Sequence, residues 1–217
     1  MDTKDFERLL RACTEVALGF PDGVVFIGGI AVYLHAVNTP SVADLAETTH
    51  DADFYISLAD MGDLRDLEEV TPNRKANKHQ FRRHGFEFDI YTERQSRLIV
   101  PYDMVMGYSE AYESVRVASL TELFCLKLEA YRDRQSSAKG MKDAKDLLRI
   151  AAIATARKGF DAQRAAGYLS DDHASLLDGI GRGPAPMEMA RGNAVKAKAL
   201  RSMFSGMVAP LRGGRGG

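Results

Sequence analysis

The sequence predicts an α/β (α+β) fold, a small mixed β-sheet backed by helices and followed by a helical C-terminal region. Three observations predict it. A β-branched run, "GVVFIGG" at 23–29, ends on two glycines and opens into the helical pattern "IAVYLHAV". Two later segments, "DADFYI" at 51–56 and "FEFDIY" at 86–91, alternate apolar with acidic or tyrosine side chains at the period of a strand. From Ser119 onward the apolar positions recur at helical spacing to about residue 206.

Each element has its own signal. Phe6, Leu9, Leu10, Cys13, Val16 and Ala17 mark a first helix, stopped by Gly19 and Pro21. "TPSVADLAETT" at 39–49 reads as a loop with at most one helical turn, and a polar, partly helical insert separates the two acidic strands. Ser119 with Glu122 matches a capping box ahead of the next helix, and another helix covers roughly 140 to 156. After Glu188 the acidic residues end while Arg191, Lys196, Lys198, Arg201, Arg212 and Arg215 continue. The resulting division is a core over 1–100, a helical region over 101–206 and a flexible tail over 207–217, whose end, "LRGGRGG", is expected to be disordered.

Composition narrows the function classes. The 217 residues carry a formal net charge of −1, which excludes wholesale polyanion binding and leaves only local basic patches. Two cysteines, Cys13 and Cys125, are too few for a disulfide framework and lack metal-ligand spacing. No apolar stretch approaches the roughly 20 residues of a membrane span, and "MDTKDFERLL" has no secretory apolar core. A cytoplasmic protein with no membrane partner is the expectation.

The chemistry lies on the acidic strands. Asp51, Asp53 and Tyr55 share one face, with Ala52, Phe54 and Ile56 on the other; Glu87, Asp89 and Tyr91 oppose Phe86, Phe88 and Ile90 in the same way. If the strands lie side by side, Asp51, Asp53 and Asp89 converge. Three crowded carboxylates repel one another and call for cations. A pair of divalent ions about 4 Å apart, Mg²⁺ first and Mn²⁺ as an alternative, resolves that repulsion and suits phosphoryl or nucleotidyl transfer. The competing explanation is solvated strand faces that carry acids for solubility. The Gly28–Gly29 turn lets backbone N–H groups approach a triphosphate at a helix N-terminus, although glycine also serves such turns for purely structural reasons.

The order "IGGIAVYLH", "THDADFYI", "FEFDIYT" resembles the DNA polymerase β-like nucleotidyltransferase superfamily over roughly residues 20 to 95. The form with Thr49 ahead of Asp51 is similar to its minimal bacterial branch, which includes abortive-infection toxins and antibiotic-modifying enzymes. The resemblance implies that Gly28 and Gly29 hold nucleotide phosphates, with Thr49 beside them. It implies that Asp51 and Asp53 ligate both metals and that Asp89 ligates the catalytic metal and helps deprotonate the acceptor hydroxyl. Many members have serine where this chain has Gly29, which offers only backbone.

Two helical residues join the candidates. Lys127 falls in the middle of the apolar arc of Leu120, Leu123, Phe124, Leu128 and Tyr131, so its ammonium must reach water, a carboxylate or a phosphate. In similar enzymes a lysine on the equivalent helix faces phosphate. "KDAKDL" at 142–147 places Asp143 at the edge of an apolar stripe, free to pair with Lys127, to fix helix packing or to serve the site, while Lys142 and Asp146 are equally explained as a solvated i,i+4 face. The basic run "NRKANKHQFRRHG" at 73–85 suits a triphosphate, an RNA acceptor or a solvated surface. His50 and His35 are read as structural.

The resulting expectation is an enzyme of the nucleotidyltransferase class, with an NTP such as ATP as substrate and pyrophosphate as product. The acceptor is tRNA/RNA or a protein in a toxin-antitoxin setting with a cognate antitoxin. The rivals are a small-molecule, antibiotic-type acceptor and a non-catalytic nucleotide-binding or antitoxin-like protein.

Overall fold

The computed structural model describes residues 2–93 and 98–213. The chain divides into two compact units, Met1–Leu34 with Glu47–Ser119, and His35–Ala46 with Leu120–Gly217. The linear boundary placed at residue 100 from sequence therefore differs from the observed division in two ways. Strands continue past residue 100, and a twelve-residue stretch near the start belongs with the later helices.

The first unit is α+β. Its elements are α1 (Thr3–Gly19), β1 (Val24–Ile27), the start of α2 (Gly28–Val37), β2 (Asp51–Ile56), α3 (Leu58–Leu67), β3 (Thr71–Asn73), β4 (Lys78–Arg83), β5 (Phe86–Tyr91), α4 (Tyr102–Gly107), β6 (Glu110–Tyr112) and β7 (Val115–Val117). Among the described residues they form one mixed sheet in the order β3-β4-β5-β2-β1-β7-β6. β2 runs parallel to β5 and antiparallel to β1, and β1 runs parallel to β7.

Hydrophobic burial accounts for this arrangement. All four residues of central β1 are buried, as a strand covered on both faces requires. On the apolar face, Phe54 meets Phe26, Phe81 and Phe88 with ring centroids 5.6, 6.2 and 6.3 Å apart, separations typical of tilted aromatic pairs. α1 starts at Asp2, whose carboxylate accepts the Asp5 N–H at 2.8 Å, and buries Phe6, Leu9, Cys13, Val16 and Ala17. The other sheet face is not wholly open, because Tyr55 packs edge-on against Tyr102 of α4 at 5.5 Å. Burial, reinforced by Glu93, pushes the Tyr55 hydroxyl up to about 12.

The polar insert between the acidic strands is partly helical as expected, through α3, and it also carries strands that the sequence reading did not name. Within it lies β4, a full strand paired antiparallel with β5. Its alternation is polar against mixed, "KHQFRR", so hydrophobic patterning does not reveal it. Most of its charge is paired: Arg82 lies 3.9 Å from Glu87, and Arg83 donates to Glu68 through Nε at 2.9 Å.

The second unit is helical: a 3₁₀ turn over Pro40–Leu45, then α5 (Leu120–Arg134), α6 (Ala138–Arg157), α7 (Ala162–Tyr168), α8 (Asp171–Arg182), α9 (Ala185–Met189) and α10 (Ala194–Gly213). α10 corrects the flexible-tail expectation for 207–213. Val208 and Leu211 are buried and extend the stripe of Leu200 and Phe204 at helical spacing. The remaining tail residues, 214–217, lie outside the described residues. Cys13 and Cys125 are both buried and free, and burial raises both thiols well above their ordinary value. Among the described residues no helix is long and apolar enough to cross a membrane.

Candidate active site

The sheet registers put the acidic side chains in rows. Gln80 of β4 pairs with Asp89 of β5, Asp89 with Asp53 of β2, and Asp53 with Ile27 of β1. One step along, Arg82 pairs with Glu87 and Glu87 with Asp51. Register partners on adjacent strands share a face, and the strands are about 4.8 Å apart. Asp53 and Asp89 are therefore side-by-side neighbours, as are Asp51 and Glu87. Parallel pairing of β2 with β5 at this register sets acid against acid along two successive rungs, an arrangement that ordinary sheet design avoids. Glu87, named in the sequence only as sharing this face, thus adds a fourth carboxylate.

The glycine turn meets this row directly. Ile27, the register partner of Asp53, is the last residue of β1, and Gly28 follows at φ +66°. A Cβ on Gly28 would come within 2.2 Å of the Asp53 carboxylate oxygen Oδ2. Glycine is required here twice over, by the left-handed backbone and by the close approach. Gly29 faces Thr49 instead, since its Cβ would lie 2.9 Å from the Thr49 hydroxyl and 3.0 Å from the Thr49 Cβ. The space that a serine side chain at position 29 would enter is thus filled by threonine from position 49. Thr49 is 1% exposed and its hydroxyl donates to Asp51 Oδ1 at 2.7 Å. Tyr91 donates to Asp53 Oδ1 at 3.4 Å. Six of the sequence candidates (Gly28, Gly29, Thr49, Asp51, Asp53 and Asp89) accordingly gather in the first unit.

Asp89 has partners that the sequence reading did not supply. It is 5% exposed, and both its oxygens are engaged: Oδ1 accepts Gln80 Nε2 at 2.8 Å, and Oδ2 forms an ion pair with the Lys78 ammonium. The same Gln80 amide donates to Glu87 Oε1 at 2.7 Å, tying two carboxylates together. Lys78 and Gln80 are two apart on β4 and so share a face. The overlooked signal is the K-x-Q-x-R alternation, legible only once that segment is read as a strand.

Asp51 and Asp53 are oxygen donors of the type Mg²⁺ takes, on one strand face next to a glycine turn. Asp89 does not match a ligand for a second ion, because a lysine and an amide of the same chain already hold it. Among the described residues no three His, Cys, Asp or Glu side chains form a ready metal-binding group.

Lys127 and Asp143 belong to the second unit, where they pair with each other. Lys127 Nζ lies 3.3 Å from Asp143 Oδ1 and 2.6 Å from Asp146 Oδ2. Arg134 holds Asp143 Oδ2 through Nε at 2.7 Å. Arg149 holds Asp146 Oδ1 at 2.8 Å and reaches the Leu45 carbonyl at 2.7 Å. Asp146, explained equally well from sequence as part of a solvated face, is buried here. Of the partners open to an ammonium in that apolar arc (water, a carboxylate or a phosphate), two buried carboxylates are those observed.

No family model matches this chain, and no curated protein matches it. Solved structures do. JHP933 from Helicobacter pylori is 14% identical with a TM-score of 0.50, the match covering 98% of this chain and 93% of that one. An antigenic nucleotidyltransferase-like protein from Paracoccidioides brasiliensis is 13% identical with a TM-score of 0.55, covering 92% of this chain and 94% of that one. These likenesses span nearly the whole chain, helical unit included, and give it a nucleotidyltransferase-like fold.

Proposed function

We propose that the protein is a metal-dependent nucleotidyltransferase that moves a nucleoside monophosphate from an NTP to an acceptor hydroxyl. The observation that carries this reading is the meeting of Gly28 with Asp53, itself beside Asp89 on the neighbouring strand. A backbone turn that presents N–H groups at a helix start beside paired carboxylates is suited to a triphosphate and its Mg²⁺. Asp51 and Asp53 would hold the ion, which neutralises phosphate charge when bound. Gly28 and Gly29 would take the phosphates through their backbone. Thr49 orients Asp51 through its hydroxyl.

The acceptor oxygen attacks the α-phosphorus and forms a new O–P bond. The bond to the α,β-bridging oxygen breaks, pyrophosphate leaves with the electron pair, and the acceptor proton passes to the Asp89 carboxylate. The acceptor classes are tRNA or another RNA, a protein in a toxin-like role with a cognate antitoxin, or a small molecule of the antibiotic type. The test is to incubate the protein with each α-³²P NTP and Mg²⁺, adding total tRNA, protein extract or aminoglycosides in separate reactions. Label should enter one fraction and vanish with Asp51→Ala/Asp53→Ala. Label transfer that survives in that double variant would refute the assignment.

One observation favours a second reading, nucleotide binding without turnover: the Lys78–Asp89 ion pair ties up the third carboxylate. Mg²⁺-dependent NTP binding with no labelled product in any fraction would establish it.

A further inference from the structure

We infer that Lys78 takes the place of one of the two cations, so that the site works with a single divalent ion at Asp51 and Asp53 and a lysine ammonium at Asp89. This inference rests on the nucleotidyltransferase reading and concerns the same sheet face.

Four observations lead to it. Lys78 sits on β4 two residues from Gln80, the register partner of Asp89, which makes Lys78 the diagonal neighbour of Asp89 on the acid-bearing face. Its ammonium contacts Asp89 Oδ2 while Gln80 occupies Oδ1, so both oxygens of that carboxylate are committed within the chain. Lys78 and Asp89 side chains are only 16% and 8% exposed, so the pair is shielded from water and screened weakly. Gln80 is itself anchored on Glu87, which resists its rotation away from Asp89.

Charge and geometry then agree. A second divalent ion at Asp89 would have to expel a largely buried ammonium and leave it to be solvated elsewhere, the costly way to break such a pair. Of the four carboxylates in the row, Glu87 has Arg82 at 3.9 Å, and Asp51, Asp53 and Asp89 are balanced by one divalent ion and one ammonium. The lysine is covalently tethered and needs no metal concentration to stay in place. It cannot bring a second metal-bound water into the site, so the acceptor hydroxyl must be activated by the carboxylate row and the single ion.

The experiment counts metal rather than turnover. Mn²⁺ is titrated into the full chain with the α,β-methylene analogues of ATP, GTP, CTP and UTP in turn, and bound ion is read by electron paramagnetic resonance after equilibrium dialysis. The wild type should bind one Mn²⁺ per bound nucleotide, Lys78→Arg also one, and Lys78→Met two. Two ions on the wild type overturn the inference, and so does a count of one on a folded Lys78→Met. The wild-type count stands whether or not Lys78→Met folds. Failure of the underlying reading looks different: a folded wild type that binds neither Mn²⁺ nor any of the four analogues removes the site, and the inference with it.

Discussion

Each of the two units carries a cluster of charged side chains, and the clusters are built on opposite plans. In the helical unit, acids and bases interleave: Arg134, Asp143, Lys127, Asp146 and Arg149 alternate in sign along a chain of contacts between α5 and α6. On the sheet, like sits beside like, with Asp53 next to Asp89 and Asp51 next to Glu87. An alternating cluster is complete in itself and fixes how two helices meet. A row of like charges stores repulsion that a cation relieves, and such unfavourable arrangements concentrate at functional sites. The first plan suits stability, and the second suits the cation binding proposed above.

Substitutions sharpen that contrast. The largest effect is expected from Asp53→Ala: turnover of labelled NTP falls by about 10³-fold or more, the scale of losing a principal electrostatic element. Its unfolding midpoint stays level or rises, because a repelling neighbour of Asp89 has gone. A fall in the midpoint comparable to that of the next variant would erase the distinction between the clusters. Lys127→Met should cost about 3 kcal/mol in urea unfolding, the low end for breaking a buried pair, since Arg134 and Arg149 remain beside the two aspartates. Gly28→Ala comes third, at about 1–3 kcal/mol for a non-glycine residue in the left-handed region. It should lower turnover further than its stability loss explains, because the new methyl group displaces Asp53.

The smallest expected effect is the pH response of His79, which lies on the sheet but away from the acidic face. Burial, then the nearby Arg65, lowers its pKa, and Arg65 donates to its Nε2 at 2.9 Å. The unfolded chain takes up a proton near pH 6.5 while the folded chain resists it. Stability from this source is therefore whole above that pH and is lost as pH falls below it. Between pH 7.5 and 5.5 the urea midpoint of the wild type should drop more than that of His79→Gln. Equal drops would place the acid sensitivity elsewhere.

Much of this was legible in the chain. "DADFYI" and "FEFDIY" declare themselves as strands because apolar and acidic residues alternate, and that alternation also predicts which side chains share a face. Gly28 could be singled out by its position after "VVFI". Lys127 stood out as a cation inside an apolar arc, whose ammonium had to reach water, a carboxylate or a phosphate. What stayed hidden has a common cause. β4 alternates polar residues with the mixed set His79, Phe81 and Arg83, leaving little contrast between its faces, and so Lys78 and Gln80 passed as part of a basic surface. Asp146 looked solvated because its i,i+4 neighbour Lys142 offered a local partner, while its observed partners lie on another helix turn and another helix. The last turns of α10 were obscured by the glycine-rich residues just beyond them, although Val208 and Leu211 carried the stripe. The parallel register that sets Asp53 against Asp89 is a tertiary fact, and no local pattern encodes it.

The stretch His35–Ala46 belongs with the helices although the chain supplies it among the strands. Arg157 donates to His35 Nδ1 at 3.0 Å, and Arg149 to the Leu45 carbonyl. Any attempt to express the sheet unit alone by ending the gene at Ser119 would leave this stretch without its acceptors' donors and the truncated product exposed to proteases at that point. Chimeras that exchange the helical portion between relatives must carry residues 35–46 along with everything after 119.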